Sequence, residues 1–181
     1  METYAIVLDH LPNGRSTDRG FHREPVVIGL GISELKFLEA VVAPGARFAP
    51  GSRIALVPID GKAPPIDHVR RRLSADELTS AARTELGPAL EVVVREDAPR
   101  YLKFFNEAGA VSRRFHLLEL LPGVGKKTME AIVAERRARP FASFADLESR
   151  VHLKSPEKLI VARIERELTG IDDKYRLFVA P

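Results

Sequence analysis

Residues 122–125 read Pro-Gly-Val-Gly, and no helix passes through them unbroken. Proline withholds a backbone donor, and glycine admits the positive φ that other residues avoid. On the upstream side, Phe115, Leu118 and Leu121 recur at helical spacing, which predicts a helix over Ser112–Leu120. On the downstream side, Met129, Ile132 and Val133 form an apolar stripe from Lys126 to Ala138, and Pro140 ends the pattern. The spacing therefore predicts two short helices joined by a tight glycine turn, with Val124 pointing back into the core.

The turn is followed by Lys126, Lys127 and Thr128, in what would be the first turn of the second helix. That end of a helix already carries partial positive charge, so two lysines are unfavourable there unless an anion is present. A phosphate would neutralise the lysines, accept the free amide hydrogen bonds and match the dipole. Gly123, Val124, Gly125, Lys126, Lys127 and Thr128 are thus the expected phosphate-binding residues. Residues 110–154 hold nine basic and five acidic side chains, whereas the rest of the chain is close to balanced. Arg113, Arg114, Arg136, Arg137 and Arg139 make up most of this surplus and are the expected supporting patch. Arginine supplies most of the basic residues, which suits a phosphate, since its fork bonds two oxygens at once; a GC-rich genome gives the same bias. The alternative is a packing turn whose lysines point into solvent.

Residues 1–66 carry a different pattern. Short apolar runs, rich in β-branched residues, lie at 4–8 and 26–30, and further runs at 36–43 and 52–59. Turn signals such as Asn13-Gly14 and Pro44-Gly45 separate them. Four to five short strands with turns between them predict a small barrel, OB-like or SH3-like. Such barrels bind single strands by stacking bases on aromatics; Tyr4, Phe21, Phe37 and Phe48 are the available rings, read mainly as core. Gly61, Pro64 and Pro65 mark a boundary, after which Arg70, Arg71 and Arg72 form a run. That run is either a solvated loop or helix entrance, or a second phosphate-contacting patch.

Helical signals follow. Ser74 and Glu77 have capping-box spacing, and Leu78, Ala81, Ala82 and Leu86 follow at helical intervals until Gly87-Pro88, the expected end of that helix. Residues 89–96 are ambiguous between helix and strand. Pro99 opens another helix, with Tyr101, Leu102, Phe105 and Ala108 on its apolar face and Gly109 as its stop. Ser143 and Asp146 cap a helix containing Leu147 and Val151, and Pro156 begins a last one.

The stretch Leu120 to Arg137 resembles the helix-hairpin-helix motif of DNA-repair, recombination and competence proteins. That resemblance implies nucleic-acid binding through hairpin amides, without sequence reading. Val151–Pro156 align with Leu121–Lys126 thirty residues earlier and resemble a second copy lacking both glycines. Across the chain, "YAIVLDHLP", "DHVRRRL", "KFFNEAG", "RRFHLLELLPGVGKK" and "RPFASFADL" resemble an archaeal family of unassigned function. In that family an OB-like or S1-like barrel is joined to a helix-hairpin-helix region, and RNA or nucleotide binding is the implied activity. The expected fold class is α+β. A small β-barrel spans 1–66 and linking helices span 67–109. A helix-hairpin-helix domain with a degenerate second hairpin spans 110–170, and a segment over 171–181 returns as a strand.

The expected function is binding of RNA or DNA independent of sequence, as an accessory protein in nucleic-acid metabolism. An adaptor within a nucleic-acid machine is the alternative, and a nuclease a more distant one. The run around Gly125-Lys126 fails the Walker A spacing, with Leu120 where a glycine belongs and Lys127 where serine or threonine belongs. A dinucleotide fingerprint needs a glycine where Thr128 stands. His10, His22, His68, His116 and His152 are scattered without metal-ligand spacing. Asp172-Asp173 reads as a turn, and no catalytic residue, metal or cofactor is expected. There is no cysteine, no long apolar run and no basic leader pattern, so a cytoplasmic protein free of membrane is expected.

Overall fold

The structure is a computed structural model that describes residues 2–17, 20–21, 24–170 and 174–180, the side chains of residues 16–17 and 20–21 excepted. The chain forms two compact units, one of Met1–Ala89 with Arg166–Pro181 and the other of Leu90–Glu165.

In the first unit the strands are β1 (Tyr4–Leu11), β2 (Ser16–Thr17), β3 (Gly20–Phe21), β4 (Val26–Gly31), β5 (Phe37–Val41), β6 (Arg53–Ala55) and β7 (His68–Leu73). Five of them make one antiparallel sheet in the order β6-β1-β4-β5-β7, and β2 pairs with β3. This sheet is open, which corrects the expected barrel. Closure would require the edge strands β6 and β7 to pair, and β6 offers only three residues. Regular turn spacing gives the number of strands and carries no information on their order or on whether the ends of the sheet meet.

The central strands behave as their composition demands. Every residue of β4 and β5 is buried, and Ala5, Val7, Val27, Leu38, Ala40 and Ile54 belong to one apolar cluster with Ile66. Phe37 is core and Phe48 packs on that cluster, with the His10 ring edge-on to it at 5.6 Å. Tyr4 lies under the Arg53 guanidinium, 4.3 Å from its ring centroid. The Phe21 side chain lies outside the described residues. Gly31 is required by close approach: a Cβ there would sit 2.2 Å from Cδ of Glu2, whose carboxylate accepts the Ser33 and Glu34 amides.

The arginine run, expected in a loop or helix entrance, is strand β7. It forms an edge, where charge discourages pairing with other chains. Most of the acids that hold its cations are distant in sequence, Glu77 on Arg71 being the local exception. Glu39, buried on β5, meets Arg15 at 2.9 Å, Arg70 at 3.4 Å and Arg71 at 3.7 Å. Arg70 also pairs with Glu24, and Arg71 with Glu77. Arg72 is the most exposed of the three, 3.8 Å from Glu34.

Ala75–Glu77 is a single 3-10 turn, closed by the Glu77 carboxylate on the Ser74 amide. Helix α1 then runs unbroken from Ser80 to Glu96, with Pro88 inside it, so Gly87-Pro88 does not end it. An internal proline costs about 3 kcal/mol. Ala82, Leu86, Ala89, Leu90, Val93 and Val94 are all buried, and burying several such side chains at about 1.5–3 kcal/mol each offsets that cost. The same burial resolves residues 89–96 as helix. The division between the two units falls within this helix.

The second unit holds α2 (Ala98–Glu107), a small hairpin of β8 (Ala110–Ser112) and β9 (Phe115–His116), a 3-10 turn Leu117–Leu120, α3 (Lys126–Ala138), α4 (Phe144–Val151) and most of α5 (Pro156–Leu168). No helix spans Ser112–Leu120, contrary to the apolar spacing. The Leu117 amide bonds Gly109 O and closes the hairpin, and Leu121 precedes a proline, which disfavours helical backbone. Only one turn fits between these limits. Asn106 brackets Phe141, donating to its carbonyl at 3.0 Å and accepting its amide at 2.8 Å. The described C-terminal residues 174–180 form no strand. Instead the buried Glu167 carboxylate accepts the amides of Leu177, Phe178 and Val179, and the Ala180 amide bonds Glu34 O. Asp172-Asp173 and His22 lie outside the described residues.

Candidate functional site

The loop before α3 is built from beneath. Leu118, Leu121 and Val124 are buried, so three apolar anchors hold the backbone while Gly123 and Gly125 stay at the surface. The Val124 amide bonds Leu121 O at 3.1 Å. Arg163, almost wholly buried on α5, donates to Leu120 O. Its position on the stripe of Pro156, Ile160, Ile164 and Glu167 is a helical signal that apolar counting passed over, because the residue is charged.

The two glycines differ. Gly123 has φ +82° and needs the absence of a Cβ for its backbone, whereas Gly125 is extended at φ −88°, ψ 179°. Apart from the adjoining backbone, no atom of the described residues lies within 4 Å of the Cβ position at either, so the space above both is open. Gly125 caps α3 without a side-chain hydrogen bond, and no acidic residue stands in the first turn. Lys126 and Lys127 are exposed and Thr128 half-buried, and neither lysine makes an ion pair among the described residues. The first amides of α3 are thus presented at an open glycine surface beside two cations, an arrangement that accepts an anion.

The expected basic patch divides. Arg113 and Arg114, at the tip of the β8–β9 hairpin, are exposed and make no ion pair among the described residues. They line one shallow cleft with Lys126. Arg137 is exposed. Arg136 is structural: it donates to Phe105 O at 2.9 Å and Ala108 O at 2.6 Å, and burial lowers its pKa. Arg139 pairs with Asp146 at 3.1 Å. Asp146, which caps α4 from within, is held below the usual carboxylate range by the Ala142 amide and by Arg150 and Arg139.

Sequence reasoning missed His116. Its Nδ1 accepts the Leu118 amide at 3.1 Å while Glu119 accepts the His116 amide at 2.9 Å, a reciprocal cap for the 3-10 turn beneath the loop. Burial pushes its pKa down, Arg136 pushes it further, and Glu119 opposes them. Neutral histidine is therefore the folded form. The resulting stability is complete above the ordinary value of 6.5 and is lost as pH falls through the lowered folded value. We expect the melting temperature to fall on acidification from pH 7 to 5, and to fall less in His116→Asn, which keeps an acceptor without titrating. Parallel curves for the two proteins would assign the acid sensitivity elsewhere.

The second turn, between α4 and α5, is no geometric copy of the first. His152 (φ +56°) and Ser155 (φ +48°) carry its positive φ, whereas the aligned counterpart of Gly123 is Leu153. Ser143 caps α4 as its spacing predicts, accepting the Asp146 amide. Among the described residues no cluster of three or more histidine, aspartate or glutamate side chains is arranged to hold a metal. No helix among them is long and apolar enough to cross a membrane.

Comparison with known proteins gives three matches. The family model described as a protein of unknown function, DUF655, matches residues 1–180. The uncharacterized protein MJ0038 of Methanocaldococcus jannaschii is 40% identical over 179 residues, which cover 98% of this chain and 80% of that protein. The crystal structure of Af1531 from Archaeoglobus fulgidus, titled with the same family model, superposes with a TM-score of 0.87 at 40% identity, covering 99% of this chain and all of that one.

Proposed function

The chain belongs to the DUF655 family, whose description assigns no activity, and we propose from its site that it binds nucleic acid through the phosphate backbone, without reading sequence. The observation that carries this reading is the start of α3: a first turn without a side-chain cap, open glycine surface and two exposed lysines that make no ion pair among the described residues. The glycine turn and α3 correspond to the later half of the expected helix-hairpin-helix, and they support this reading; its first helix is absent, and the 3-10 turn Leu117–Leu120 stands there instead. Arg113 and Arg114 add two cations beside Lys126. Arg70 and Arg71 contribute less to this reading, since Glu39, Glu24 and Glu77 already hold their charge.

The test is binding of fluorescent DNA and RNA oligonucleotides at two salt concentrations. Affinity on the order of 10⁻⁴–10⁻⁶ M near physiological salt is expected, falling steeply as salt rises. Lys126→Ala with Lys127→Ala should lower the slope of log K against log salt by roughly one to two units. The same pair should leave melting unchanged or raise stability by up to about 1 kcal/mol, because it removes cations from the positive end of a helix. Salt-indifferent binding, or an unchanged slope in the variant, would refute the reading.

A further inference from the structure

The cleft beside the α3 N-terminus has a volume of about 120 Å³ and lies wholly within the second unit. Its lining is not that of a second phosphate site. Arg113, Arg114 and Lys126 stand at its rim, but Phe115 and Met129, both half-buried, give it apolar wall. His116 and Glu119 also line it. His116 is only 8% exposed, and its Nδ1 is occupied as an acceptor, so the neutral ring carries its proton on Nε2. That N–H has no partner among the described residues. Glu119 uses one carboxylate oxygen on the His116 amide, and its other oxygen has no partner among the described residues. A donor and an acceptor are thus offered together next to an aromatic ring. A phosphate would meet repulsion from Glu119, whereas the edge of a nucleobase presents both donors and acceptors, and its face suits Phe115.

We propose that this cleft receives one unpaired nucleobase of the strand whose phosphate rests on the α3 N-terminus, which makes the ligand single-stranded. The inference rests on the phosphate-binding reading, and it adds what that reading leaves open. A duplex keeps its bases stacked and paired, so it can engage the amides and lysines but not the cleft. Phe115 and Met129 supply the apolar contact, His116 the donor and Glu119 the acceptor.

The experiment uses the full chain and three fluorescent 12-mers: a single strand, its duplex, and a single strand in which every nucleotide is abasic. The base-bearing single strand should bind roughly tenfold more tightly than the other two, the size expected of one stacked base. Phe115→Leu should reduce that preference while leaving abasic binding as it was. Glu119→Gln, which keeps an acceptor for the His116 amide, should also narrow the preference. Equal binding of all three ligands would overturn the cleft while leaving the phosphate reading standing. Tighter binding of all three by Glu119→Gln would show that the cleft faces a phosphate, and would overturn the proposal. Failure of all three ligands to bind would overturn both.

Discussion

Glu39→Ala is expected to destabilise the first unit by about 3–5 kcal/mol, the cost of leaving buried charge without its counter-ion. Glu39 is 2% exposed and stands among three guanidinium groups, those of Arg15, Arg70 and Arg71. Removing the carboxylate leaves Arg15, whose side chain is 18% exposed, with like charges and no compensation from Glu39. Arg70 and Arg71 retain Glu24 and Glu77, so the loss should fall mainly on Arg15 and the β5–β7 pairing. Urea unfolding followed by circular dichroism measures this directly. A loss below about 1 kcal/mol, the range of exposed pairs, would show that the cluster is solvated.

Gly123→Val should combine lost binding with a loss of stability from backbone strain, whereas Gly125→Ala should lose binding with only the smaller cost of a poorer N-cap. The contrast comes from the backbone. At φ +82° a β-branched residue is strained by about 1–3 kcal/mol, while the extended Gly125 accepts alanine without strain. Both substitutions place carbon in the open space above the α3 amides, where a phosphate would approach. Melting and oligonucleotide binding measured on the two variants separate the effects. Wild-type affinity in both variants would move the binding surface away from this turn.

Features fixed by local chemistry were legible in the sequence. The start and end of α3, the inward Val124 and the Ser143 cap each depend on residues within one helical turn, and each stands where spacing puts it. Features decided by distant partners were not. Arg70 and Arg72 read as free charge because Glu24, Glu39 and Glu34 lie more than thirty residues earlier, whereas the partner of Arg71, Glu77, is near in sequence and read only as a helix cap. The helix expected before the turn gives way to a hairpin and one 3-10 turn, because the caps on His116 and Gly109 are stronger there than the apolar spacing. Pro88 read as a breaker because the buried face that tolerates it is not a local property. The cleft was invisible for the same reason: Phe115, His116 and Met129 registered as core or as scattered residues until the hairpin placed them around one opening.

The Asn106–Phe141 bracket has a kinetic corollary. It joins residues 35 apart and so closes a ring that contains the β8–β9 hairpin, the glycine turn and α3. Closing such a ring from a disordered chain costs about 3 kcal/mol in entropy. Its two hydrogen bonds return only about 0.5–1.5 kcal/mol each. The bracket alone therefore cannot lead folding of this unit; the ring must first be shortened by formation of α3 and burial of Leu118, Leu121 and Ile132. The glycine turn is in that sense assembled before it is locked, and Asn106 acts as a latch on structure already made.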